Sequence, residues 1–191
     1  MGLTGGIGAG KSEALAALER LGASTLSTDT VVHELYSGTD VREAVVARWG
    51  TEVAPDGTVD RAAVAAKAFA DPQERTWLES ELWPRVGARI AVWRKAEEAR
   101  DPAPPVLVVE VPLLFEAGMD TAFDATIAVV ADEAVRERRA GARGQVGLDE
   151  RTSRQLTQDE KAARATWVVA NSGTLAELDT ALSGILAKLM T

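Results

Sequence analysis

The strongest constraint on this chain is its first dozen residues, Met1-Gly2-Leu3-Thr4-Gly5-Gly6-Ile7-Gly8-Ala9-Gly10-Lys11-Ser12. From Gly5 to Ser12 they fit G-x-x-x-x-G-K-[ST], the pattern of a phosphate-binding loop. Glycine at the spaced positions admits backbone angles that a Cβ blocks, so successive N–H groups can curl inward around an anion. A helix expected from near Gly10 adds its unpaired N–H groups and the positive end of its dipole. Lys11 reaches the β- and γ-phosphates as a point charge, and the Ser12 hydroxyl is available to Mg²⁺. The expected nucleotide-binding set is Gly6, Ile7, Gly8, Ala9, Gly10, Lys11, Ser12 and Glu13, with Ser12 also the metal ligand. A chance glycine-rich turn is the competing reading. Leu3 before the loop, and Ala14, Leu15, Ala17, Leu18 and Leu21 after it at helical spacing, argue against that.

The strand carrying the loop is expected over Met1 to Thr4, short against the usual length of about 5–6 residues. An upstream start or a clipped first strand would account for it. The 191 residues suit one domain with room for insertions, and 46% apolar residues can fill a core. A net charge of −8 disfavours a nucleic-acid or anionic-membrane surface. With no cysteine, disulfides, thiol catalysis and cysteine-ligated metals are excluded. His33 is the only histidine, which leaves little for a Ser-His-Asp triad or a multi-histidine zinc site. No apolar run of about 18 residues is present, nothing resembles a signal peptide, and the expected location is cytoplasmic.

Further strands are expected at Ala23–Ser27, Val106–Val111, Ala125–Val130 and Trp167–Ala170. The continuous apolar run at Val106 suits a parallel strand buried on both faces. Helices are expected from Glu13 to Leu21, from Thr28 or Asp29 to Tyr36, through most of 40–100, after Asp132, and from Thr174 to Leu189. Pro84 should kink or divide the longest of them. Strands alternating with helices mean a parallel α/β sheet. With the phosphate loop after the first strand, the fold expected is a three-layer α/β/α P-loop fold. It has a five-stranded parallel sheet, a helical substrate lobe and an arginine-rich lid. The single domain 1–191 then divides into a core (1–30, 105–135, 165–191), a lobe (31–104) and a lid (136–164).

Three groups stand out chemically. Asp29 follows the second strand on the expected ligand side, where its carboxylate can hold or deprotonate an acceptor hydroxyl; a plain helix N-cap is the alternative. Arg136, Arg138, Arg139, Arg143, Arg151, Arg154, Lys161 and Arg164 cluster in an otherwise acidic protein, interrupted by Gly141, Gly144 and Gly147. They read either as a closing flap that neutralises a moving phosphoryl group or as a solvated charged helix. Glu110 ends the central strand, where an acidic group can join a metal shell or pair with a nearby base. There is neither a D-x-x-G switch nor an N-K-x-D guanine motif, which disfavours a GTPase.

Taken together, Gly2 to Ser12, Asp29, Gly50, Asp56-Gly57, Asp60-Arg61 with Phe69, Leu78-Glu79, Pro84 and Val111-Pro112-Leu113-Leu114-Phe115-Glu116 resemble the dephospho-CoA kinase family. Arg139, Arg143, Arg151, Gln155, Glu160-Lys161 and Asn171-Ser172-Gly173 extend the resemblance almost to the end of the chain. It implies ATP and dephospho-CoA as partners, with Mg²⁺ as cofactor, and transfer of the γ-phosphoryl group to the ribose 3′-hydroxyl. Asp29 is then the base or orienting group. Lys11 with Arg139 and Arg143 stabilises the transferring phosphoryl, and Asn171 runs close to adenine. The lobe would hold the pantetheine arm. Departures are Ser27 for the first aspartate of a D-x-D segment, His33 for an arginine, Trp83 for the histidine of a His-Pro pair, and Ala170 for an aspartate. The segment from Gly144 to Asp149 is a few residues short. The alternatives are another nucleoside monophosphate or small-molecule P-loop kinase, or a non-catalytic nucleotide- or CoA-binding protein.

Overall fold

A computed structural model describes residues 1–142 and 155–189. The chain forms two compact units, Met1–Ser27 with Glu97–Thr191, and Thr28–Ala96.

The first unit is built on a five-stranded sheet. Its strands are β1 (Gly2–Gly5), β2 (Ser24–Ser27), β3 (Leu107–Glu110), β4 (Thr126–Val130) and β5 (Trp167–Ala170). All pairings are parallel, in the order β2-β3-β1-β4-β5. Every strand is four or five residues long. The brevity of β1 is therefore a property of the whole sheet. In register, Gly2 to Gly5 face Thr126 to Val129 of β4, and Leu3 faces Glu110 of β3. Burial of all four β1 residues follows from that central place.

Side chains alternate across a strand, and this alternation layers the unit. Leu3 packs with Ala14, Leu18, Val108, Ile127 and Val129, and with Leu178 and Leu182. The helices supplying that face are α1 (Lys11–Arg20) and, named here by its range, the closing helix Leu175–Leu189. Thr4 points the other way and meets Lys161 of the helix Gln158–Arg164. Helices thus cover both faces. Because β2 and β3 lie on one side of β1 and β4 and β5 on the other, the turn after β1 sits where the strand order reverses. That is where ligands bind in open parallel sheets.

The second unit is helical: α2 (Thr28–Ser37), α3 (Thr39–Trp49), α4 (Arg61–Ala70) and most of α5 (Pro72–Glu98). Asp60 caps α4 by accepting from the backbone N–H groups of Ala62 and Ala63. Val41, Val45, Val53, Val64, Leu78 and Leu82 form its core. Trp49 and Trp77 meet edge to face with centroids 5.0 Å apart. Pro84 does not divide α5, which is a single helix of 27 residues. Proline removes one backbone donor there. Leu78, Leu82 and Val86, buried on either side of it, hold both halves to one core.

The described helices of the first unit continue the numbering as α6 (Glu133–Ala142), α7 (Gln158–Arg164) and α8 (Leu175–Leu189). No helix among the described residues is long and apolar enough to cross a membrane.

Candidate active site

The loop Gly5–Gly10 joins β1 to α1 directly, and α1 begins at Lys11. Ala9 N–H bonds the Gly6 carbonyl at 3.2 Å, tightening the turn. Two glycines are required by both angle and space. Gly8 has φ 75°, and a Cβ there would come within 2.5 Å of the Arg136 carbonyl oxygen. Gly10 has φ 90°, and a Cβ there would collide with Asn171 Nδ2.

Four carbonyls of the loop, those of Gly5, Gly6, Ile7 and Ala9, are held by side-chain donors. Lys11 Nζ donates to Gly5 O at 3.1 Å and Gly6 O at 3.3 Å. Arg136 Nε donates to Ile7 O at 3.0 Å, and Asn171 Nδ2 to Ala9 O at 2.9 Å. In a trans peptide the C=O and the following N–H point in opposite directions. Holding the Ile7 and Ala9 carbonyls therefore turns the N–H groups of Gly8 and Gly10 the other way. The clamps are themselves anchored. Asn171 N–H bonds Val130 O at 2.8 Å at the end of β4, and Arg139 Nη1 donates to Asn171 O at 2.9 Å. Arg136 also pairs with Glu133 at 2.6 Å.

Asn171 is 3% exposed, and its described bonds support the loop. Arg139 lies half-buried against the same carbonyl. Ser12 is exposed at the start of α1, and Glu13 is half-buried on the same turn. Glu110 is 5% exposed at the carboxyl end of β3. Asp29 is exposed in the first turn of α2, within the helical unit. Arg143 lies outside the described residues. No group of three or more histidine, cysteine or acidic side chains that could hold a metal occurs among the described residues. The donors available fit Mg²⁺ brought by a nucleotide, which takes one or two protein oxygens and fills its shell with phosphate oxygens and water.

Arg136 clamps the loop from three residues before Arg139 on one face of α6, a spacing visible in the sequence. Lys161 fits neither expected reading of the basic segment, a closing flap or a solvated charged helix, since it is fully buried. Its Nζ pairs with Glu116 Oε1 at 2.9 Å and donates to Pro112 O at 2.7 Å and Thr4 Oγ1 at 3.3 Å. Burial pushes the Lys161 ammonium below its usual value, against the opposing hydrogen bond and charge of Glu116. Beside it, Gln158 brackets Ala131 at the end of β4, accepting from its N–H at 3.1 Å and donating to its C=O at 2.9 Å. A Thr157–Glu160 capping box starts α7.

The family model described as dephospho-CoA kinase matches residues 1–177. The chain is 39% identical over 180 residues to the dephospho-CoA kinase of Symbiobacterium thermophilum, covering 92% of this chain and 74% of that one. It is 39% identical over 184 residues to that of Geobacter metallireducens, covering 94% and 90%. Among solved structures, TT1252 from Thermus thermophilus superposes with TM-score 0.82 at 34% identity, over 100% of this chain and 97% of that one. The dephospho-CoA kinase from Campylobacter jejuni superposes with TM-score 0.69 over 99% and 96%; at 19% identity this likeness concerns the fold alone.

Proposed function

The chain belongs to the dephospho-CoA kinase family and phosphorylates dephospho-CoA to coenzyme A with ATP, and from that premise we propose how its residues divide the work. The observation that carries the reading is the clamped loop, whose Ile7 and Ala9 carbonyls are held by Arg136 and Asn171. It supports Gly6 to Glu13 as the site for the ATP phosphates. Preorganised N–H donors lose nothing to reorganisation when charge moves in the transition state.

Lys11 sits on the first turn of α1 and bears on the β- and γ-phosphates. Mg²⁺ held by the Ser12 hydroxyl would supply charge neutralisation across those phosphates when bound. The 3′-hydroxyl oxygen of the acceptor ribose bonds to the γ-phosphorus as the bond to the β–γ bridging oxygen breaks, and ADP leaves. Asp29 accepts the hydroxyl proton, and Arg139 and Arg143 balance charge on the transferring group. Asn171 borders the adenine as well as supporting the loop. The helical stretch 31–104 serves as the acceptor lobe and 136–164 as the lid.

The test is direct. Incubation with Mg-ATP and dephospho-CoA should yield CoA and ADP, followed by chromatography. No turnover under conditions where a control kinase works would overturn the reading.

A further inference from the structure

We propose that Lys161, acting with Glu116, is a positioning residue for phosphoryl transfer: it joins the strand that enters the phosphate loop to the segment that follows β3. An ammonium has three N–H donors, and the buried Lys161 has three acceptors: Glu116 Oε1, Pro112 O and Thr4 Oγ1. The charged form is fully satisfied there. The acceptors belong to two parts of the site's framework, Thr4 to the strand that enters the loop and Pro112 and Glu116 to the segment after β3. Thr4 immediately precedes Gly5, whose carbonyl holds Lys11 Nζ. Pro112 lies two residues beyond Glu110, and its carbonyl also accepts from the Thr4 hydroxyl at 3.2 Å. Glu116 Oε1 additionally accepts the N–H of Leu156 at 2.8 Å, just ahead of α7.

A plain core group would not need this arrangement. A buried pair is commonly replaceable by apolar residues without loss of stability. Here Glu116 Oε2 is buried with no hydrogen-bond partner among the described residues, which weakens any case for the pair as a stabiliser. Its consequence is geometric. One cation fastens Glu116 to the Thr4–Pro112 contact, which the Thr4 hydroxyl already makes directly at the mouth of the loop, and small misplacements of reacting groups are costly in rate.

The inference rests on the kinase reading, so the wild-type enzyme must first turn over; its failure to do so would count against that reading. The decisive variant is Lys161→Met with Glu116→Leu, compared with Lys161→Met alone. The single change should lower Tm and activity together. The double change should recover Tm. Its kcat should stay reduced roughly tenfold to a hundredfold, with KM for ATP within about twofold of wild type. Thr4→Val removes the arm from Lys161 to the loop's strand together with the Thr4–Pro112 hydrogen bond. It should lower Tm modestly, because one buried ammonium N–H loses its acceptor, and should lower kcat about threefold or more in the molecules that remain folded. Should the double variant not fold, Thr4→Val decides. Wild-type kcat in a folded double variant, or in Thr4→Val where the double does not fold, would overturn the proposal.

Discussion

The sheet unit and the helical unit use polar side chains differently. In the sheet unit, buried or half-buried polar groups reach across long stretches of sequence to backbone atoms. Asn171 holds Ala9, Arg136 holds Ile7, Lys161 holds Pro112 and Gln158 holds Ala131. Arg20–Asp179 in the sheet unit is open to solvent, and so are Arg48–Glu74, Lys67–Glu52 and Arg89–Glu34 in the helical unit. Exposed pairs of that kind contribute little. The helical unit's shape is set by Val41, Val45, Val64, Leu78 and Leu82 instead. One unit specifies where backbone groups point, as an anion site demands. The other specifies only that apolar faces meet, which leaves its surface free to vary. Two departures from the family pattern, His33 and Trp83, lie on that surface, and Trp83 is 38% exposed.

The comparison yields measurable contrasts. Asp29 is the exception that would sharpen it most, as a residue of the helical unit that we propose takes part in the reaction. Asp29→Asn should reduce kcat by roughly 10²–10⁴-fold with ATP affinity retained, measured by turnover and by nucleotide titration. A change in ATP affinity with kcat intact would remove it from the chemistry. Lys11→Ala should cost about 10²–10³-fold in kcat while Tm stays close to wild type, as expected of a donor acting on the transferring group. A large fall in Tm would instead make Lys11 a structural clasp for Gly5 and Gly6. Leu82→Ala should do the reverse, losing about 2–5 kcal/mol of stability in denaturant titration. Turnover per folded molecule should persist.

The smallest effect concerns pH. Hydrogen bonds from Arg48 and Trp49 hold the Glu74 carboxyl below the usual carboxylate range. Its folded value is lower than its unfolded one, so the stabilisation is present above the ordinary carboxylate value and is lost as pH falls through the folded value. Tm measured down an acid series should show that loss, and Glu74→Gln should flatten it. An unchanged acid limb in the variant would show that the Arg48–Glu74–Trp49 cluster contributes nothing to stability.

Much of the architecture was legible in the chain. The run at Val106 to Val111 contains β3, and that at Ala125 to Val130 contains β4. Of Leu175, Leu178, Leu182, Ile185, Leu186 and Leu189, expected inward by their helical spacing, the middle four form the buried face of α8, while Leu175 and Leu189 at its two ends are exposed. These signals are local: a strand or helix declares itself by the period of its apolar residues. Pro84, expected from its local effect to kink or divide α5, does not divide it, because residues on both sides pack into one core. Lys161 was illegible because lysine ordinarily points to solvent. Only the arrival of Thr4 from one distant stretch and of Pro112 and Glu116 from another makes a buried ammonium tolerable.

By itself the sequence determined the phosphate loop, the parallel α/β class and the family, because each rests on residue types at close spacing. Tertiary structure alone decided what aims that loop. Arg136, Asn171 and Lys161 lie 129, 162 and 157 residues from the loop or strand atoms they hold. Closing contacts over such separations costs loop-closure entropy that the packing of the whole sheet must offset, and no local pattern encodes them.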